Sequence, residues 1–360
     1  IHYGMSPRDC QRAPYWTHRA QSSIRQPTFA QSQTEDQAIS GRLSHHHKKK
    51  VRLMTYDMNC LSIIIPTFKR PEGIARALGS VENERVDGMN IEIIVADNDP
   101  LASAKDFMTK YIATSKTDIK YVHVPQPGVS NARNGALAVA RGRYVLFLDD
   151  DMTASAPWAQ PMMDTAKQYD AGLVFGPVNA VMPEENNAFY DHMQPLFSRP
   201  AREENGLIEK GIATGNCFMD RGRFDLPNPV FDPNLNETGG EDDDLFRKLE
   251  QQNQNIAWTN DAITQEHVPA KRATLAYVWK RNFAFGQAPT REAADRGLNG
   301  ITGIIKWMFV GAAQIGIYAM LWCVSKLRKD PISVHHFGRL AQGVGKVFWS
   351  DRLSPKLYGI

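Results

Sequence analysis

From Cys60 onward, short apolar runs alternate with stretches of helical periodicity. Leu61-Ser62-Ile63-Ile64-Ile65, closed by Pro66, is a β-branched run of the kind buried on both faces of a parallel sheet. Pro71 opens a segment in which Ile74, Ala77, Leu78 and Val81 recur at helical spacing, which predicts a helix. Residues 91–96 form a second apolar run, closed by Asp97-Asn98-Asp99-Pro100. A helix carrying Phe107 and Tyr111 follows, then a strand over 119–124, a helix over 129–140 and a strand over 144–148 that runs into Asp149-Asp150-Asp151. Four βα alternations predict an α/β domain, with a largely parallel sheet and helices on both faces. Ligands bind such sheets at the carboxyl ends of the strands. Pro66-Thr67-Phe68, Asp97-Asn98-Asp99 and Asp149-Asp150-Asp151 each follow directly on a strand, so they are expected to converge on one edge.

Beyond Thr153 the pattern loosens. Gly176-Pro177 and Ala213-Thr214-Gly215-Asn216 interrupt a mixed region, and Gly239-Gly240-Glu241-Asp242-Asp243-Asp244 leads into Leu245, Phe246 and Leu249, the start of a helix. Unpaired N–H groups favour acidic residues in a first turn, so capping accounts for part of this acidity. Residues 307–324 carry no charge, only Gln314 being strongly polar, between Lys306 and the group Lys326, Arg328 and Lys329. As a helix this stretch reaches about 27 Å, close to the thickness of a bilayer's hydrocarbon core. A membrane span, a re-entrant or interfacial helix, and a helix buried in the protein or a dimer interface all remain open. Residues 335–349 mix Phe337, Leu340, Val344, Val347, Phe348 and Trp349 with Arg339 and Lys346, as an amphipathic helix on an anionic surface would. Residues 1–57 are polar, aperiodic and without the apolar core of a secretory signal; a disordered tail, vector-derived or an over-extended reading frame, is expected. The expected organisation is a tail over 1–57, an α/β domain over 58–291 and a membrane-associating helical region over 292–360.

With 42 basic and 39 acidic residues and a formal charge of +3, the chain is not a dedicated nucleic-acid binder. Cys10, Cys60, Cys217 and Cys323 are scattered with no CxxC pair, which suggests neither a disulfide framework nor a thiolate zinc site and fits a reducing cytoplasm.

Three consecutive aspartates at a strand end repel one another unless positive charge sits among them. Mg²⁺ or Mn²⁺ is the economical answer, since either takes one or two protein carboxylates and fills its remaining positions with water and phosphate oxygens. A nucleotide diphosphate supplies those oxygens, and the metal neutralises charge that develops as it leaves. Glu241-Asp242 is a second acidic site, suited to take the proton of an attacking sugar hydroxyl.

Together these pieces resemble the large family 2 of glycosyltransferases, with the GT-A fold. The matching motifs are Ser62-Ile63-Ile64-Ile65-Pro66-Thr67-Phe68-Lys69-Arg70, Val95-Ala96-Asp97-Asn98, Gly128-Val129-Ser130-Asn131-Ala132-Arg133-Asn134, Phe147-Leu148-Asp149-Asp150-Asp151 and Gly239-Gly240-Glu241-Asp242. They stand in family order and cover about 60–291, and the later Glu266-His267-Val268-Pro269 with 279–283 resembles bacterial succinoglycan-type exopolysaccharide transferases. The resemblance implies a nucleotide-sugar site of Pro66, Thr67, Phe68, Arg70, Asp97, Asn98, Arg133, Asp149, Asp150, Gly215 and Asn216. In it, Pro66, Thr67 and Phe68 line the base and ribose pocket, Asp97 accepts from the base, and Asp149 approaches the ribose. Gly215 and Asn216 border the donor sugar. Arg133 reaches the nucleotide or is structural. Asp151 is the metal ligand of the D-x-D pattern, with Asp149 and His267 as further candidates; the extra Asp150 leaves these assignments open by one position. Asp242 matches the base of the inverting mechanism, and Glu241, Trp279 and Arg281 lie on the acceptor side. No Q-x-x-R-W signature of processive synthases is present, so single transfer is implied. The implied partners are a nucleotide-diphospho-sugar donor and a glycan or lipid-linked acceptor, met at the cytoplasmic face of the inner membrane. A sugar nucleotidyltransferase is the alternative, against which Pro66-Thr67-Phe68-Lys69-Arg70 stands where a glycine-rich phosphate loop is needed. A non-catalytic membrane scaffold of the same fold is the third reading.

Overall fold

A computed structural model describes residues 56–183, 187–236 and 239–355; the tail expected over 1–57 lies outside the described residues except for its last two positions. β1 (Asp57–Thr67), α1 (Pro71–Val81), β2 (Asn90–Asp97), α2 (Lys105–Thr114), β3 (Asp118–His123), α3 (Val129–Val139) and β4 (Gly142–Phe147) follow the predicted order. β5 (Met152–Ala154), α4 (Ala159–Gln168), β6 (Ala171–Phe175), β7 (Val178–Val181), α5 (Tyr190–Met193), β8 (Gly206–Ile208) and β9 (Cys217–Asp220) come next. The chain continues through α6 (Glu241–Glu250), β10 (Asn255–Trp258), β11 (Thr264–His267), α7 (Leu275–Asp295), α8 (Ile301–Leu327) and α9 (Ser333–Val347).

The main sheet has the order β3-β2-β1-β4-β9-β6-β10-β8. Its first four strands are mutually parallel, as the sequence predicts. Side chains alternate across it: Leu61, Ile63, Ile65, Ile93 and Val95 pack on α1, α2 and α4, whereas Ile64, Ile94, Val145 and Phe147 pack on α3 and α6. Both faces are covered, which is why these strands are almost wholly apolar.

The other half departs from the parallel expectation. β9 runs antiparallel to both β4 and β6, with Phe147 opposite Cys217. An antiparallel strand starts where its neighbour ends, so the residues just before β9 arrive beside those just after β4. Gly215 thereby reaches Asp149. A small sheet, β5-β11-β7, sets Glu266 opposite Met152 and so beside Asp151.

α7, α8 and α9 pack on one another as a helical layer. α7 extends across the boundary expected at 291/292, so the helical region starts at Leu275.

Candidate active site

Thr67 ends β1 and Phe68 follows it, and both bind the second aspartate of the triplet: Thr67 Oγ1 donates to Asp150 Oδ2 at 2.8 Å and the Phe68 amide at 3.4 Å. Arg70, at the mouth of α1, donates to Asp150 Oδ1 at 2.7 Å and to Asp151 Oδ2 at 2.8 Å. Arg272, on the loop after β11, adds a 3.2 Å bond to Asp151. Burial still pushes the Asp150 carboxyl up to about 6 against the pull of Arg70. The positive charge demanded by the aspartates is therefore partly supplied by arginines of the chain itself.

α3 contributes Arg133, a buried guanidinium between the two acidic motifs. It donates to Glu241 Oε1 at 2.6 Å and to Asp149 Oδ1 at 3.3 Å, with the Phe231 ring 5.4 Å away. Arg133 thus joins the Asp149 motif to Glu241, itself 108 positions further along the chain than Arg133. Gly239 and Gly240 take positive φ (76° and 88°), so the chain turns sharply into α6 and sets Glu241 and Asp242 in its first turn. Asp242 faces the cleft and accepts from the Thr214 amide at 3.4 Å. A Cβ on Gly215 would stand 2.7 Å from Met152 Cε and 3.0 Å from Asp149 Oδ2, so any side chain here must displace Met152 and crowd the Asp149 carboxylate.

The cleft, about 970 Å³, is lined by Pro66, Thr67, Phe68, Arg70, Asn98, Arg133, Asp149, Asp150, Asp151, Gly215, Glu241, Asp242 and Arg281 among others. Asn98 shapes its rim: the side chain accepts from the Gly128 amide at 2.5 Å and donates to the Val124 and Gln126 carbonyls.

The sequence from 62 to 225 matches the family model "Glycosyl transferase family 2". The succinoglycan biosynthesis protein ExoM of Rhizobium meliloti is 34% identical over 243 residues, which cover 66% of this chain and 76% of that protein. The chain belongs to glycosyl transferase family 2. A second relative, the GalNAc(5)-diNAcBac-PP-undecaprenol beta-1,3-glucosyltransferase of Campylobacter jejuni, is 31% identical over 152 residues, 42% of this chain and 46% of its own length. Among solved structures, S. aureus TarS 1-349 matches with a TM-score of 0.47 at 16% identity, over 83% of this chain and 93% of that one. GalNAc-T7 crystallised with UDP, GalNAc and Mn²⁺ matches with a TM-score of 0.46 at 15% identity, over 65% and 51%. The glycosyltransferase has the GT-A arrangement: a sheet flanked by helices, with its cleft at the carboxyl ends of the parallel strands.

Four expected site residues lie off the cleft of this transferase. Asp97 is fully buried, its carboxylate accepting from the Asp99 and Ala104 amides and from Tyr121 Oη, all within 3.0 Å, so it ties down the 97–104 turn and has no face left for a base. Asn216 sits at φ 61°, which turns its side chain inward to the Pro177 and Ala262 carbonyls and to Trp158 Nε1. Trp279 packs on Phe337 of α9 with ring centroids 5.2 Å apart; Tyr277 is the α7 aromatic that lines the cleft. His267 contacts Thr153 Oγ1 through Nε2 at 3.1 Å and lies outside the cleft lining.

Among the described residues, no group of three or more His, Cys, Asp or Glu side chains is arranged to hold a metal ion. Mg²⁺ and Mn²⁺ do not need one, because one or two carboxylates suffice when phosphate oxygens and water complete the shell. Asp151 and Asp149 offer such hard oxygens in the cleft and fit; the His267 ring does not.

Three cleft residues escape a reading of the sequence. Arg199 donates to the carbonyls of Gly176, Gly215 and Asn216, and burial pushes its pKa down to about 10. Glu266 is pushed up to about 7 by burial and then by nearby Asp151. Arg272 pairs with Asp151 and lies 3.6 Å from Glu266. Arg199 stands alone in a segment with no periodicity, whereas Glu266 belongs to the Glu266-His267-Val268-Pro269 motif and Arg272 follows shortly after it, and the sequence marks neither as a site residue.

Proposed function

We propose that the protein is an inverting, metal-dependent glycosyltransferase that moves one sugar from a nucleotide-diphospho-sugar onto a lipid-linked or surface polysaccharide acceptor. The observation that carries this reading is Arg133, which gathers Asp149 and Glu241 around one cleft with Asp242 beside them. Two acidic sites with separate tasks are what such a transfer requires.

Pro66, Thr67, Phe68, Arg70, Asn98 and Asp150 form the wall for the nucleotide, and Gly215 leaves room for the donor sugar against the backbone. Asp242 is the general base: its carboxylate takes the proton of the acceptor hydroxyl while that oxygen bonds to the anomeric carbon. The bond from that carbon to the diphosphate breaks on the opposite side, its electron pair leaves with the nucleoside diphosphate, and the configuration inverts. Glu241, held by Arg133, orients the acceptor. A Mg²⁺ or Mn²⁺ ion held by Asp151 with Asp149 would offset the diphosphate's charge. Lys271, Lys280 and Arg281 line the cleft as well, so cations face an anionic substrate across from the carboxylates.

The relative acting on an undecaprenol-linked glycan, and the apolar α8, support an acceptor and a location at a membrane surface. We propose the cytoplasmic face of the inner membrane as that surface. We also propose the division into a transferase body and a helical region that associates with the membrane, the latter beginning with α7.

A panel of nucleotide sugars, each tested with Mn²⁺ for a rise in melting temperature, identifies the donor by mass action. Asp242→Asn is expected to keep that rise and to lose about 10²- to 10⁴-fold in transfer rate. Undiminished transfer by Asp242→Asn, or no stabilisation by any nucleotide sugar, refutes the assignment.

A further inference from the structure

α8 is apolar almost all round, and packing divides it into a buried and an exposed face. Gly311, Gln314 and Ser325 are buried against α9, whereas Ile305, Phe309, Ile317, Met320, Val324 and Leu327 stand exposed along the opposite side. Phe309 is 76% and Met320 64% exposed, and no acidic residue occurs anywhere in the helix.

The buried face decides how this helix can meet lipid. Near the middle of α8, Gln314 Oε1 accepts from Lys346 Nζ of α9 at 3.1 Å, and Gln314 Nε2 donates to the Arg339 carbonyl at 2.7 Å. Further along, Tyr318 lies under the Arg339 guanidinium at 5.5 Å and Ser325 meets His336 Nδ1 at 3.2 Å. α9 in turn packs on α7, where Gln342 bonds Asn282 and the Lys346 carbonyl accepts from Thr290. A spanning α8 would draw Lys346, Arg339 and His336 to hydrocarbon depth with it, or would have to shed α9 altogether.

The ends of the stripe agree. Lys306 stacks on Trp307 at 5.5 Å and Lys326 on Trp322 at 4.9 Å, and Arg328 and Lys329 follow. Cations at both ends suit a helix whose two ends meet the same headgroup layer; across a membrane, basic residues concentrate on one side.

We infer that α8 lies in the plane of an anionic membrane, its exposed apolar stripe in the outer part of one leaflet and α9 and α7 stacked above it. The inference rests on the membrane-surface part of the proposed function and specifies its geometry. The aromatic chain Trp322–Phe337–Trp279, with centroids 5.3 and 5.2 Å apart, then links this membrane layer to the first turns of α7, which line the cleft through Tyr277, Lys280 and Arg281.

The test uses the full chain and vesicles of phosphatidylcholine with or without phosphatidylglycerol. Wild type should float with the anionic vesicles, less so at high salt, and Phe309→Glu/Met320→Glu should lower binding at least about tenfold while melting temperature and nucleotide-sugar stabilisation stay unchanged. Fluorophores on Ile305→Cys, Phe309→Cys, Ile317→Cys and Val324→Cys, in a Cys10→Ser/Cys323→Ser background, should be quenched alike by lipids labelled at shallow depth. Three results overturn the inference: no flotation, quenching that is deepest at the helix centre, or a dimer in solution that the paired glutamates dissociate without any vesicle binding. Because nucleotide-sugar stabilisation is read without vesicles, loss of flotation alone leaves the transferase assignment standing.

Discussion

Removing the Arg133 guanidinium should unsettle the protein and its chemistry together, and the two effects can be separated. In Arg133→Met, the Glu241 carboxylate loses its 2.6 Å partner while its side chain stays only 8% exposed. Asp149 loses a weaker contact, 3.3 Å long, and at 30% exposure it recovers part of the loss from water. Breaking a buried ion pair by deleting one member costs roughly 3–5 kcal/mol, and the larger share here falls on Glu241. We therefore expect about 3 kcal/mol, which is about 5 °C in melting temperature for a folded body of some 300 residues. Glu241→Gln in the same background removes the stranded charge and should restore roughly half of that loss. Melting curves of wild type, both single variants and the double variant form the cycle. If the two substitutions add within about 0.5 kcal/mol, Arg133 is not the counter-ion of Glu241 and the account of how the two acidic motifs are joined fails.

Other consequences can be checked with the same material. Gly215→Ala brings a methyl group to 2.7 Å from Met152 Cε and 3.0 Å from Asp149 Oδ2, so donor KM should rise at least about tenfold with little change in fold, as judged by circular dichroism. Asp151→Asn should shift Mn²⁺ titrations of nucleotide-sugar binding to higher metal by an order of magnitude or more, while nucleotide binding without metal changes little. Glu92 lies fully buried in β2; burial alone would raise its pKa, but bonds from Lys120, Ser62 and Arg141 hold it down to about 2. Its stabilisation of about 3 kcal/mol is present above the unfolded pKa near 4.5 and disappears as pH falls toward 2. Glu92→Gln should accordingly lower the melting temperature at pH 7 and flatten its fall between pH 5 and 2.

The parallel half of the fold was legible because burial on both faces leaves little choice of side chain: Ile63, Ile64 and Ile65 can only be a core strand, and Ile74, Ala77, Leu78 and Val81 only an inward helix face. The Asp149-Asp150-Asp151 motif was legible for a related reason, since it follows directly on the buried β4 at the sheet edge; Glu241 and Asp242 open α6 instead. The antiparallel β9 was not. Four residues long, it carries no period that reveals direction, and its insertion between β4 and β6 is a tertiary choice. Asp97 and Asn216 show the same limit at single residues. Their neighbours Asn98 and Gly215 line the cleft, yet one turn held by an aspartate and one positive φ rotate each side chain into the interior. Arg199 gave no warning because its partners are backbone carbonyls, which every sequence has.

α7 begins beside the catalytic pocket and continues, as one helix, into the layer formed with α8 and α9. One helix thereby ties Tyr277, Lys280 and Arg281 of the cleft lining to that layer, with Pro289 as the point at which it can bend. A change in how α8 and α9 pack is therefore transmitted to the side chains at the head of α7.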